Sequence, residues 1–285
     1  MRTKLCFLAT IVWFYTTTSI HSQECQDSLS LKSTNEATLF GIGKSFLTDT
    51  YLSPLEYEGM SFSLLHDRLN GSKLFKGKLL MQQQFQLQIA TTKNPTKTAS
   101  SYYGNIYYGI NGFYPLVRND KFRFFAGGGA IGELGGIYNE RNSNNPGSLK
   151  VSVNLDAAAM AMYRLKNVTF RWQLSTPFLG MFFSPEYGHS YYEIFSLGND
   201  KGTVHLGSFH DQLALRNYFT VDFPVGKFTV RTGYLGNYYR TDINELTTKI
   251  LSHQFVIGLA NESLNFGGSK IKENRHWLKS VYYDE

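Results

Sequence analysis

The chain has 285 residues with a formal net charge of +6, 28 Lys and Arg against 22 Asp and Glu, and two cysteines. That mild, unclustered positive excess excludes a tract built to follow nucleic acid. Two cysteines, one of them Cys6 near the start, exclude a small domain framed by disulfides. Tyr (19) and Phe (22) against seven Pro favour strands and aromatic girdles over helices.

The first residues have the layout of a secretory signal peptide. Arg2 and Lys4 precede an apolar run from Leu5 to Tyr15, followed by small and polar residues up to Ser22. The run is too short for a membrane helix. The expected organisation is a signal peptide (1–22), a periplasmic leader (23–35), an outer-membrane β-barrel (36–264) and a C-terminal tail (265–285). Cys25 is then the single cysteine of the mature chain.

Strand candidates follow in order: Ala37–Leu47, Met60–Leu69, and then Lys76–Thr91, where the pattern is clearest. Read with a period of two, Leu79, Met81, Phe85, Leu87 and Ile89 share one face, and Lys78, Gln82, Gln84, Gln86 and Gln88 share the other. Such a strand separates an apolar environment from a wet one. It fits a half-buried antiparallel strand of a soluble sheet, or a lipid-facing row backed by a watery lumen. Candidates continue with Tyr102–Pro115, Lys121–Tyr138, Leu149–Leu165, Val168–Leu174, Tyr191–Leu197, Thr203–Phe209, Gln212–Val225, Phe228–Tyr239 and Thr247–Glu262. Repetition of the alternation predicts an all-β fold, an antiparallel transmembrane β-barrel of twelve strands, or ten if Thr203–Val225 runs as one. NGSKLFK, VRND, LKN, GND and PVG are the predicted inner turns, and the outer loops are predicted to be longer.

Three stretches resemble a specific family. FGIGKSFLTDTYLSPLEYEG, FSPEYGHSYYEIF and RNYFTVDFPVGKFTVRTGYLGNYYRTDINEL are similar to a family of uncharacterised outer-membrane β-barrels found in Bacteroidetes, with DTYLSPLEY and SYYE the most specific parts. The resemblance implies a fold and an outer-membrane location, with no activity attached.

Alternation places Lys78, Arg123, Glu133, Lys150, Asp156, Arg164, Arg171, Arg216, Asp222 and Arg231 on the lumen side, with Asp222 near enough to pair with Arg231 or Arg216 across the Pro224–Lys227 turn. The outer mouth is expected to gather Asp49, Tyr51, Glu56, Tyr57, Tyr187, Tyr191, Tyr192 and Glu193, residue types suited to a sugar or an amphiphile. GGGAIG (Gly127–Gly132) satisfies G-x-G-x-x-G, but it lies inside a strand pattern and no helix follows, so wall curvature is the better account. His189, Ser190 and Glu193, and also His210 and Asp211, are hydrolase residue types, yet neighbours on a strand point apart. The expected function is therefore a narrow small-solute channel with a slight anion preference. The alternative is a closed structural or ligand-binding barrel, and a membrane-embedded lipid hydrolase ranks below both. No catalytic residue, cofactor, metal or nucleic-acid partner is expected; outer-membrane lipid is, with a small solute or glycan as a further partner.

Overall fold

The computed structural model describes residues 34–72, 75, 78–225 and 228–263. The signal peptide, nearly all of the leader and the tail Asn265–Glu285 lie outside the described residues.

The wall consists of β1 (Thr34–Asp49), β2 (Ser53–Gly71), β3 (Leu80–Lys93), β4 (Ser100–Arg118), β5 (Phe122–Asn139), β6 (Gly147–Leu165), β7 (Val168–Phe183), β8 (Val204–Gly207), β9 (Gln212–Val225), β10 (Phe228–Ile243) and β11 (Leu246–Ser263), with one short helix, α1 (Tyr191–Phe195). Neighbours pair antiparallel in the order β6-β5-β4-β3-β2-β1-β11-β10-β9-β7, and β6 pairs with β7, which closes the sheet. The short β8 pairs only the outer end of β7, at Gly180–Phe183, while β9 pairs Thr169–Ser175 lower on the same strand. β8 and β9 are therefore two stretches of one barrel position, interrupted at Ser208–Asp211. The barrel has ten strands.

This corrects the twelve-strand expectation and supports its ten-strand alternative. Tyr191–Leu197 is not a strand. Ser190 accepts from Glu193 N and the Glu193 carboxylate accepts from Ser190 N, the capping box of a helix N-terminus. The GND turn consequently sits in the long outer connection. The outer connections are also shorter than expected, because β2 begins at Ser53 and takes in most of DTYLSPLEYE. At the β10–β11 turn, Asn244 and Glu245 both have positive φ (54° and 60°), the two-residue hairpin geometry.

Hydrogen-bonded partners lead from Phe40 through Leu64, Leu87, Ile106 and Leu134 to Val151 on β6. The other way round they lead through Ile257, Thr232, Val221 and Phe170 to Tyr163 on the same strand. The stagger between Val151 and Tyr163 is what tilts strands in a closed barrel.

The faces are inverted relative to a soluble sheet. On β3, Gln82, Gln84, Gln86 and Gln88 are buried, with Gln82 at 0% exposure, while Ile89 on the opposite face is 64% exposed. The same inversion places Phe40, Ile42, Phe62, Leu64, Leu134, Val153, Trp172, Phe219, Phe255 and Ile257 outward. On the β1–β2 hairpin this apolar surface is bracketed by outward ion pairs, Glu36–Arg68 at 3.0 Å and Lys44–Glu58 at 2.5 Å. Between Glu36 and Lys44 the chain advances about 26 Å at ~3.3 Å per residue, and less along the barrel axis after tilting. That matches the ~25 Å apolar band of barrels that sit in an outer membrane. The soluble alternative would have required these residues to be covered.

Glycine in β5 has a local cause. A β-carbon on Gly127 would lie 1.8 Å from the Gly112 carbonyl oxygen of β4, and one on Gly129 would lie 1.8 Å from the Ile110 oxygen. GGGAIG is thus a place of close backbone approach inside a strand, with no helix to receive a phosphate.

A charge placed on the outward row should be far costlier than one at the strand ends. Leu87→Arg is expected to lower the unfolding free energy in lipid vesicles by ~2–4 kcal/mol, measured by denaturant titration. Lys44→Arg, within the bracketing pair at the end of the apolar band, should change it little.

Candidate functional site: the barrel interior and its outer cap

The interior is filled in layers. Toward the end where Thr34 and Ser263 pair, Leu69, Leu80, Phe113, Phe125, Ala158, Met160 and Met162 form an apolar cluster. A second cluster of Ala37, Leu39, Leu65, Tyr218, Leu235, Val256 and Ala260 lines β1, β2 and β9–β11. A charged layer crosses the barrel beside them. Asp67 on β2 accepts from Arg171 on β7 and from Arg231 on β10, the latter at 3.1 Å. Arg231 also holds Asp222 by both edges of the carboxylate, Nε to Oδ1 and Nη2 to Oδ2, each at 2.7 Å, and reaches Asn35 Oδ1 at 2.8 Å. Gln82 and Gln173 exchange two hydrogen bonds of 2.8 Å across the lumen, and Gln82 donates a third to Asp67. Arg171 lies over the Tyr218 ring at 5.0 Å. Asp67 and Arg231 are both at 0% exposure. Buried charges of this kind survive only when paired, because desolvation costs several kcal/mol per ion.

Outward of this layer is a cavity of about 70 Å³, lined among others by Gln86, Tyr107, Glu133, Asn154, Arg216 and Ser252. Above it apolar side chains crowd the mouth. Leu47, Leu52, Tyr57, Ala90, Ala99, Tyr103, Ile137 and Ile250 form a third apolar cluster, with Tyr51 and Tyr239 packed against it. The Ser184–Thr203 connection is fastened at this end: Tyr51 Oη donates to the His189 carbonyl at 2.7 Å, and Leu149 N donates to Tyr191 Oη at 2.6 Å. Tyr51 and Tyr191 meet edge to face at 5.6 Å, and Tyr191 stacks on Phe195 at 5.9 Å. Lys150 pairs with Asp49 at 2.9 Å and donates to Thr248 Oγ1 at 2.8 Å.

Of the residues expected in the lumen, Arg123, Asp156, Arg171, Arg216, Asp222 and Arg231 are buried inside, and Glu133 and Lys150 line the cavity. Lys78 and Arg164 are not inside. Lys78 lies in the turn before β3 and Arg164 at the exposed end of β6, where the alternation has stopped. Asp222 pairs with Arg231, one of the two partners expected across the β9–β10 turn. At the mouth, Asp49, Tyr51, Tyr191 and Glu193 belong to the cap. Tyr57 points inward, Glu56 faces out to Lys249 at 3.3 Å, and Tyr187 and Tyr192 are exposed.

Sequence reasoning missed Asp67, the acceptor shared by two arginines. Its signal was present: it continues the inward parity of Ser61, Ser63 and Leu65 on β2. With Asp49 and Asp67 included, five inward cations (Arg123, Lys150, Arg171, Arg216, Arg231) face five inward anions (Asp49, Asp67, Glu133, Asp156, Asp222) among the described residues. The positive excess behind the expected anion preference is gone. No group of three His, Cys, Asp or Glu among the described residues is placed to hold a metal.

Closed ladder, outward apolar wall and inward polar network together define a β-barrel of the transmembrane class. The chain belongs to the family described as "Protein of unknown function (DUF3316)", whose model matches residues 3–270. No curated protein sequence matches it. Among solved structures it is similar to the beta domain of the Bordetella autotransporter BrkA (9% identity, TM-score 0.43, 82% of this chain and 100% of that one). It is also similar to the transport unit of AIDA-I from Escherichia coli (9%, 0.39, 82% and 93%) and the translocator domain of NalP from Neisseria meningitidis (8%, 0.38, 80% and 88%). At these TM-scores the likenesses carry no inference about what this chain does.

Removing one member of the charged layer should cost more than removing a pair. Arg231→Met leaves Asp222 without its bidentate partner and is expected to destabilise by ~3–5 kcal/mol, whereas Arg231→Met with Asp222→Leu should recover part of that loss. Equal losses in denaturant titrations would contradict the pairing.

The cap should respond to pH at both extremes. Burial, with Tyr191, Asp49 and Glu193 nearby, pushes the Tyr51 phenol up to about 12. Its contribution is complete below the ordinary tyrosine value of ~10 and is lost as pH rises from there toward the folded value. Hydrogen bonds from Ser190 N and then Ser190 Oγ lower the Glu193 carboxyl. Its contribution is present above the ordinary glutamate value and is lost as pH falls through the lowered one. Protection of the Glu193 and Leu149 amides, taken relative to their intrinsic exchange rate at each pH, should fall only outside that window.

Proposed function

We propose that this protein is an integral outer-membrane β-barrel with a closed lumen, acting through its capped outer end and its interior as a ligand-binding or structural barrel and not as a conduit. The observation that carries this reading is the charged layer of Asp67, Arg171, Arg231 and Asp222, stacked on apolar clusters and roofed by the Tyr51–Tyr191 contact. A passage through it would require breaking several buried charge-assisted bonds at once, each strong in a low-dielectric interior. The outward apolar wall supports lipid as the surrounding partner.

We also read the barrel as non-catalytic. Ser190 and Glu193 are engaged in capping α1. Ser208 Oγ does lie 2.7 Å from His210 Nδ1, and His210 Nε2 lies 2.9 Å from Asp211. That trio sits within a single exposed turn, the His210 side chain being 76% exposed, so water screens the contacts and no packing fixes the ring. Purified barrel offered ester and phospholipid substrates is expected to show no hydrolysis that Ser190→Ala or Ser208→Ala removes.

Planar-bilayer recording tests the closed lumen. Barrel that migrates heat-modifiably on SDS gels, and so is folded, should insert without discrete conductance steps. Ohmic steps whose anion selectivity shifts on neutralising Arg171, Arg216 and Arg231 would establish the channel instead.

A further inference from the structure

The outward wall has a gap toward its outer end. At one level of the ladder Ile89, Gly104, Gly136 and Leu149 stand side by side on β3, β4, β5 and β6. The level below carries Leu87, Ile106, Leu134 and Val151. The level above brings Tyr102 beside Tyr138, their rings 6.4 Å apart. Two neighbouring strands thus present no side chain between an apolar row and an aromatic pair. Close backbone approach does not account for Gly104 as it does for Gly127 and Gly129, because a β-carbon there would meet no atom within 4 Å.

With the β5–β6 connection and α1 these residues form a cleft of about 870 Å³, open to the outside, whose Ile89 and Tyr192 are 64% and 67% exposed. The cleft is continuous with the lipid-facing wall, since Ile89 shares its parity with Phe85 and Leu87. Glycine inside a strand gives up side-chain packing and can mark a place where a ligand comes close. On this face the membrane supplies the ligand. We infer that the cleft holds one glycolipid of the outer leaflet, with an acyl chain lying over Gly104 and Gly136 and its sugar against Tyr102, Tyr138 and Tyr192.

Charge and size select the headgroup. No charged side chain is among those lining the cleft, whereas phosphate recognition calls for arginine or lysine donors. Asn144, Asn145 and the tyrosine hydroxyls supply neutral donors and acceptors, and the rings supply apolar faces. Glu140 accepts from Tyr102 Oη at 2.8 Å with Lys93 near enough to offset its charge, so this pair favours neither sign. A volume of about 870 Å³ lies within the ~300–1,000 Å³ of small-molecule sites, room for a chain and a sugar ring. The assignment rests on the membrane reading of the barrel and is independent of whether the lumen conducts.

Barrel in phosphatidylcholine nanodiscs, doped with equal minor amounts of galactosyl diacylglycerol and phosphatidylglycerol of the same acyl chains, tests the site by native mass spectrometry of the released protein. Heat-modifiable migration is checked first, so a failure of the membrane reading shows before any lipid is counted. The galactolipid should be retained on the barrel about tenfold over phosphatidylglycerol. Gly104→Leu puts an apolar side chain into the cleft and should abolish that retention. Gly132→Leu, at an outward glycine equally free of neighbours but outside the cleft, should leave it unchanged. Tyr138→Leu should equalise the two lipids by removing one of the rings that meet the sugar. Equal retention by the unaltered barrel, or galactolipid retention unchanged in Gly104→Leu, would overturn the assignment and leave ordinary boundary lipid. If Gly104→Leu fails to insert, the two-lipid comparison on the unaltered chain and the Tyr138→Leu arm still decide.

Discussion

Everything in this molecule depends on the closure of one hydrogen-bonded ladder. In hydrocarbon an unpaired backbone group costs several kcal/mol, so a sheet can face lipid only if it has no edge. The β6–β7 pairing removes the edge, running from Ser152–Phe182 to Leu165–Val168 across the tight turn at Lys166 and Asn167. Once the ladder is closed, the strict period of two leaves each strand one face for the surroundings and one for the interior. The outer face then carries Leu, Ile, Phe and Val, and the inner face must carry whatever can satisfy itself without solvent.

How the interior meets that demand decides between a pore and a plug. Ten strands enclose little more room than the filled eight-strand type, and long side chains take up much of it. Gln82, Gln84, Gln86 and Gln88 form a ladder on β3, engaging Asp67, Gln173, Arg216, Ser61 and Ser45 from strands as distant as β7 and β9. Among the described residues the inward charges balance, and the Arg231 fork holds both oxygens of Asp222. At Arg216 the corresponding Nε and Nη2 edge is buried without such a hydrogen-bond partner.

Much of this was legible in the sequence, and the failures have physical causes. Alternation on β3, β6 and β9 fixes which side chains share a face, because parity is a local property. It identified the inward Gln row, Asp156 of β6, and the Arg and Asp positions of β7, β9 and β10. It could not reveal that Asp67 is the common acceptor of Arg171 and Arg231, since those partners are 104 and 164 residues away and meet only through the closed register. Tyr191–Leu197 was misread because Tyr, Ile and Phe are strand-formers. The S-x-x-E spacing of Ser190 and Glu193 was the contrary signal, a helix cap within the SYYE motif. Lys78 was misplaced because alternation was extended past the start of β3, and Arg164 because the last residues of β6 are exposed on both parities.

The central claim is that lipid contacts the apolar parity and never the polar one, which faces the barrel interior. Single-cysteine variants along β3, labelled with an environment-sensitive fluorophore in vesicles of brominated lipid, test it most directly. Labels at positions 85, 87 and 89 should be strongly quenched by the lipid. Labels at 84, 86 and 88 should be protected from it or should prevent insertion. Quenching without alternation, or 85, 87 and 89 shielded from lipid and quenched by aqueous iodide, would contradict the account.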